Sequence, residues 1–245
     1  MTPAASSGSV APSIALTLLA LIVCAGFVRL GFWQWDRWLT SQAAWASFAR
    51  GADAVQPLAA RSLGEVARFQ RVSVAGHLDG AHQFLLDNRS YRARPGYEVL
   101  TPLERADGRV LLVDRGWVPF TGSRAQLPDV TLADDPLVVL TGRVADLPSA
   151  GLARGHAPPA AGPWPKLTSF PQPAELASAL GRPLDARILL LDAQAPFGFV
   201  RDWQPPGMSP LRHLSYAFQW WCLAALVAVV WVVLTVRRSR QAGRP

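Results

Sequence analysis

Residues 13–35 read SIALTLLALIVCAGFVRLGFWQW, with one charge, Arg29, in the whole stretch. At 1.5 Å of rise per residue, a helix of that length crosses the roughly 30 Å of hydrocarbon in a bilayer. Arg29 lies toward the far end, where its aliphatic stem can carry the guanidinium toward the headgroups. A second stretch, residues 213–236, reads HLSYAFQWWCLAALVAVVWVVLTV and runs into RRSR. Trp33, Trp35, Trp38, Trp220 and Trp221 gather at one end of the two stretches, as an interfacial aromatic belt does. The sequence therefore predicts two transmembrane helices, 13–35 and 213–236.

The first stretch competes with a cleavable signal peptide. It has no basic n-region and no small-x-small cleavage site, and Val23 is too large to precede Cys24 in a lipoprotein box. An uncleaved anchor is the better reading. Two spans put both tails, 1–12 and 237–245, on one side and everything between on the other. Arg237, Arg238, Arg240 and Arg244 argue for cytoplasmic tails, against which Arg37 and Arg50 stand beyond the first span. Long domains translocate largely regardless of their charge, so residues 39–211 are expected outside the cytoplasm.

Composition agrees. Half of the 245 residues are hydrophobic and 17% are charged, the reverse of a disordered chain. The net charge of +7 invites nucleic acid, but the cations are arginines scattered singly, with Lys166 the one lysine, so no binding stripe forms. Cys24 and Cys222 both lie in the apolar stretches, which excludes a disulfide framework and a multi-cysteine metal site.

The middle is rich in short β-branched or aromatic runs: 69–75, 83–87, 97–103, 110–118, 137–144 and 187–192. Turn residues separate them, including Gly76, Pro95-Gly96, Asp107-Gly108 and Asp135-Pro136. Residues 173–180 predict a short helix closed by Gly181, residues 62–68 a second, and the proline-rich 157–165 an ordered loop. The expected fold is an antiparallel β barrel or sandwich with small helices, an α+β domain held between two membrane helices.

Enzymatic signatures are missing: no nucleophile elbow, phosphate loop, H-E-x-x-H or dinucleotide fingerprint occurs. His77 and His82 bracket the turn GHLDGAH and read as turn polar residues; His156 has no visible partner. His213 opens the second span with Tyr216 and Trp220 at i+3 and i+7, on one helical face. An imidazole there can ligate a haem iron with an aromatic packed beside it; equally, all three residue types favour the headgroup boundary as plain anchors. In the first span Gly31, Gln34 and Arg37 follow one another at spacings of three. Gly31 admits close approach of a helix or flat ligand, and Arg37 reads otherwise as an anchor. Arg115, Gly116 and Trp117 end a strand. Period two puts Arg115 and Trp117 on one face, free to bind an acidic partner, or else packed as an ordinary strand end.

Four of these segments stand in a recognisable order: LGFWQWDR at 30–37, GYEVLTPL at 96–103, RGWVP at 115–119, and HLSYA at 213–217 followed by Trp220, with Trp164 after the proline-rich loop. In this the chain resembles the surfeit-locus family of cytochrome c oxidase assembly proteins, collinearly from about residue 28 to 224. The resemblance implies a non-enzymatic assembly factor in the bacterial inner membrane, its central domain periplasmic. It implies haem a as cofactor, with His213 alone carried over as iron ligand; a shared membrane depth then predicts a pocket around it of Tyr216, Trp220, Gly31, Gln34 and Arg37. The implied partners are the catalytic subunit of the oxidase and haem a synthase, and the strand period makes Arg115, Gly116 and Trp117 the expected docking face. A scaffold that stabilises an oxidase intermediate without touching haem is the alternative. The chain departs from the family pattern in lacking a lysine soon after Arg37 and in carrying Asp114 and Arg212 where asparagine is usual.

Overall fold

The computed structural model describes residues 14–50, 54–132, 137–149, 155–205 and 207–242. The tail 1–12, the start of the first span at Ser13, the turn at Asp135-Pro136 and Arg244 lie outside the described residues. The chain divides into a helical unit, up to Ala46 and from Pro205, and a β unit, Ser47–Gln204.

The helical unit is built from α1 (Ile14–Arg50) and α3 (Pro210–Ala242), both long and apolar enough to span a membrane. Helix α1 continues past Trp35 to Arg50, so the residues from 39 onward that were expected to open the domain are still helical. Inward-facing residues recur on α1 at Thr17, Cys24, Gly31 and, between them, Phe27 and Gln34, the alternation of three and four that keeps one seam toward a partner helix. The partner is α3, running antiparallel. Trp231 Nε1 donates to Thr17 Oγ1 (3.3 Å), Cys24 Sγ to the Ala224 carbonyl (3.1 Å), and Ser41 Oγ to the Met208 carbonyl (3.0 Å). Most of the other large apolar side chains on the two helices face outward, as a lipid-facing surface must.

Among the described residues the β unit carries eight strands: β1 (Val55–Pro57), β2 (Arg71–Leu78), β3 (Phe84–Tyr91), β4 (Arg94–Glu104), β5 (Val110–Pro119), β6 (Leu137–Asp146), β7 (Lys166–Thr168) and β8 (Leu184–Leu191). Their order is β1-β2-β6-β8-β5-β4-β3-β7, and a further pairing of β2 with β4 closes five of them into a barrel. The six expected strands are all present. The three-residue β1 and β7 were too short to leave a periodic signal, and both pair in parallel. So does β8 against β5, because the chain reaches β8 through the helix α2 (Pro173–Leu180). The sheet is therefore mixed. Gly181 ends α2 at φ 70°, as its position in the sequence suggested. Residues 62–68 yield one 3₁₀ turn, Leu63–Glu65, in place of a second α-helix.

The run VLLV of β5 is apolar without alternation because both faces of the strand are covered. Leu111 and Val113 point into the barrel with Val72, Val74, Leu140 and Leu189; Leu112 points outward, beneath Leu176 of α2 with Phe84, Leu100 and Ile188.

Candidate functional site

In the helical unit, the end of the helix pair opposite the chain termini holds the one polar contact between side chains of the first-span motif and the second. His213 Nδ1 lies 2.8 Å from Gln34 Oε1. An amide oxygen only accepts, so Nδ1 carries a proton, and in the neutral form of the ring the lone pair is then on Nε2. Nε2 makes no hydrogen bond among the described residues. A neutral imidazole oriented through one nitrogen and open at the other is the arrangement of a metal-ligating histidine.

The other residues expected around it are placed differently. Trp220 turns into the seam and stacks on Phe27, ring centres 5.5 Å apart. Gly31 does accept a flat group, but the group is the indole of Trp221: a Cβ at Gly31 would stand 2.1 Å from Trp221 Nε1. Trp221 also meets Phe32, Trp35 and Phe218. The slot beside Gly31 is therefore filled from within the protein. Sequence periodicity from His213 selected Trp220; the helix crossing selects its neighbour, a residue adjacent in sequence and about 100° further round the helix. Tyr216 remains exposed, as does Arg212 beside His213. Arg37 is exposed too, its guanidinium 5.9 Å from the Trp33 ring.

In the β unit the expected docking face does not form as expected. Glu98 pairs with Trp117 and Leu100 with Asp114, so the single residue Val99 opposes both Arg115 and Gly116. This is a β-bulge, and it breaks period two. Asp114 and Trp117 now share a face and Arg115 leaves it. Arg115 is 3% exposed. Its Nε donates to the Phe197 carbonyl (2.6 Å), and its Nη1 to Gln83 Oε1 (2.8 Å) and the Val130 carbonyl (3.2 Å). The guanidinium lies 4.8 Å from the Phe199 ring, and Thr101 Oγ1 completes the network by donating to Gln83 (2.9 Å). Burial without a facing carboxylate lowers the Arg115 pKa to about 10.

Gly116 sits at φ 111°, and a Cβ there would meet the Val200 carbonyl at 2.6 Å. The bulge thus lets residues 199–200 pair along the strand, with Trp117 N donating to the Val200 carbonyl (2.8 Å) and Phe199 N to that of Arg115 (2.7 Å). Trp117 is half-buried against Tyr91 and over Gly96, where a Cβ would stand 2.5 Å from its indole. Across the strand from Arg115, Asp114 is fully enclosed and accepts a hydrogen bond from Gly116 N (3.0 Å). Burial, then the charge of Glu98, pushes its carboxyl well above the usual range; Glu98 is itself raised by burial, though Arg89 grips it at 2.9 Å.

Two of the other histidines, His82 and His156, bind carboxylates. His82 Nδ1 contacts Asp79 (2.8 Å) and His156 Nε2 contacts Glu175 (2.9 Å). The second pair links the proline-rich loop to α2, a partner that the sequence around His156 did not reveal. No group of three or more metal-ligating side chains occurs among the described residues.

No curated protein matches the chain. The model of the SURF1 family matches residues 21–225, from inside α1 to inside α3 and so through the whole β unit. With the four motifs in order, two membrane helices and the barrel between them, the chain belongs to the SURF1 family, whose members act in cytochrome c oxidase assembly.

Proposed function

We propose that the protein serves oxidase assembly by holding haem a at the His213 end of its helix pair for transfer to the catalytic subunit, with haem a synthase as the source. The observation that carries this is the His213–Gln34 pair, which supports an imidazole donating from Nδ1 with Nε2 open to an iron. Haem a, when bound, supplies the redox iron that the oxidase needs. The protein's residues bind and release; no bond-making group is required of them. His213 supplies the ligand, Gln34 orients it, and Tyr216 stands beside it. Arg37 and Arg212, both exposed at this end, are the cations available to propionates. Gly31 and Trp220 act one step removed, by letting the helices close. With the slot at Gly31 filled by Trp221, a macrocycle held by His213 would have to be accommodated outside the seam. In a bacterial inner membrane the tails 1–12 and 237–245 are then cytoplasmic and the β unit periplasmic.

The same filled slot favours the second reading, a scaffold that stabilises an oxidase intermediate without cofactor, since the helix pair is well packed without one. Absorption spectra of detergent-purified protein from cells that make haem a separate the two. The expected result is a haem spectrum that is lost in His213→Ala and kept in His77→Ala, His82→Ala and His156→Ala. An unchanged spectrum in His213→Ala moves the site elsewhere, and a wild type free of haem leaves the scaffold. Reporter fusions at Gly122 and after Pro245 test the topology and should report opposite sides of the membrane.

A further inference from the structure

Helix α1 has a second ordered face. Opposite its seam with α3, Ile22, Gly26, Arg29, Trp33 and Asp36 follow at spacings of four, three, four and three, again the rhythm of a helix-packing stripe. Among the described residues, nothing in the helical unit covers it. Ile22 is 68% and Trp33 51% exposed, and a Cβ built on Gly26 would meet no atom within 4 Å. Gly26, Arg29, Trp33 and Asp36 border an open surface groove of α1, with Leu30 and Phe32. The side chains of Arg29 and Asp36 are exposed and make no ion pair or hydrogen bond with a described residue.

Depth makes Arg29 the telling residue. Taking Gln34 and His213 as the edge of the hydrocarbon, Arg29 lies five residues, about 7.5 Å of helix axis, inside it. Side chains on a helix lean toward its N-terminus, which on α1 is toward the middle of the bilayer. To reach headgroups Arg29 must bend against that lean. An ionised side chain at such a depth is normally matched by an opposite charge from a neighbouring segment.

We propose that this stripe docks a transmembrane helix of another membrane protein, which seats its backbone over Gly26 and presents a carboxylate to Arg29. A glycine notch lets a helix backbone approach closely, whereas lipid tails gain nothing from it. Asp36, seven residues further along the same stripe, adds a charge of opposite sign and so fixes the register and direction of the incoming helix. A helix with an acid at the depth of Arg29 and a cation at the level of Asp36 satisfies both.

The test is photo-crosslinking from p-benzoylphenylalanine placed at Ile22 in the full-length chain, in native membranes, with the adduct mapped by mass spectrometry. The expected adduct joins a membrane-spanning segment that contains Asp or Glu. Its yield should fall at least tenfold in Arg29→Leu and survive in Arg29→Lys. Arg29→Leu places an apolar residue in hydrocarbon away from the α3 seam, so insertion is retained, and haem retention through His213 is read separately. Adducts to lipid alone, a mapped segment without an acid, or equal yield in Arg29→Leu would each overturn the proposal.

Discussion

Two arginine- or histidine-bearing motifs of this chain end in opposite circumstances. Every partner of the Arg115 guanidinium comes from inside the β unit, and the side chain is sealed. His213 has one nitrogen engaged by Gln34 and the other free, at a helix end where Arg212 and Tyr216 are exposed. A motif residue whose hydrogen-bonding capacity is spent internally holds the fold; one with capacity left over is equipped to hold something else. The contrast is open to measurement through stability, and the expected costs run from large at Arg115 to small at Gln34.

Arg115→Ala should cost most. It removes the charged donor from the carbonyls of Phe197 and Val130 and from Gln83 Oε1, of which the last two keep Gln83 Nε2 and Thr101 Oγ1 as donors. A hydrogen bond to a charged group contributes about 1.5–3 kcal/mol. A total loss of about 3–5 kcal/mol is expected, seen as a fall of roughly 10 °C in the thermal unfolding of the β signal by circular dichroism. A variant that keeps its melting temperature yet fails in oxidase assembly would restore Arg115 as a docking residue and dissolve the contrast.

Gly31→Ala comes next. The added methyl must displace the Trp221 indole, and overpacking of this kind costs about 1–3 kcal/mol. Tryptophan fluorescence in detergent should show the helix pair loosening at lower temperature, and Trp221→Leu in the Gly31→Ala background should recover most of the loss. Additive losses in the double variant would mean that Gly31 and Trp221 are not partners. Gly96 and Trp117 repeat this glycine–tryptophan fit in the β unit, so two of the motifs record close packing.

These fits show what the sequence could convey. Long apolar runs and alternating strands depend on local periodicity, and both helices and all six longer strands were legible from it. The bulge at Arg115-Gly116 was not, because it is defined by what stands opposite, a single Val99 on another strand. Nor was the choice of Trp221 over Trp220, which a helix crossing makes. At the candidate site His213 and Gln34 were both selected from the sequence. Their direct contact joins positions 179 residues apart, and only the antiparallel register of α1 and α3 brings them together.

Asp114→Asn should act in the opposite direction. An asparagine oxygen accepts the Gly116 N–H as well, and no charge is left to bury beside Glu98. The folded-state pKa of Asp114 is raised, so the folded protein holds a proton that the unfolded chain releases. Wild-type stability therefore declines as pH rises from about 4 toward the folded pKa. The variant should gain about 1 kcal/mol, roughly 2–4 °C, at neutral pH and lose that advantage near pH 4. A gain that is the same at both values would place its origin in packing and not in the proton.

The smallest structural cost is expected at the site itself. Gln34→Leu removes one partly buried hydrogen bond and substitutes a residue of similar size, so about 0.5–1.5 kcal/mol is at stake. If Gln34 only helped the helices pack, haem retention would change no more than stability does. If it fixes the tautomer, its loss frees the imidazole to rotate and to place its proton on Nε2, and removing such an orienting partner typically weakens a metal site by about 10–100-fold. Titration of haem a into detergent-solubilised wild type, Gln34→Leu and Gln34→Glu distinguishes these. Gln34→Glu keeps an acceptor facing Nδ1 and should bind close to wild type, whereas Gln34→Leu should bind at least tenfold more weakly with a nearly unchanged melting temperature. Equal affinity in all three would show that Gln34 does not orient a ligating His213, and the contrast with Arg115 would then rest on exposure alone.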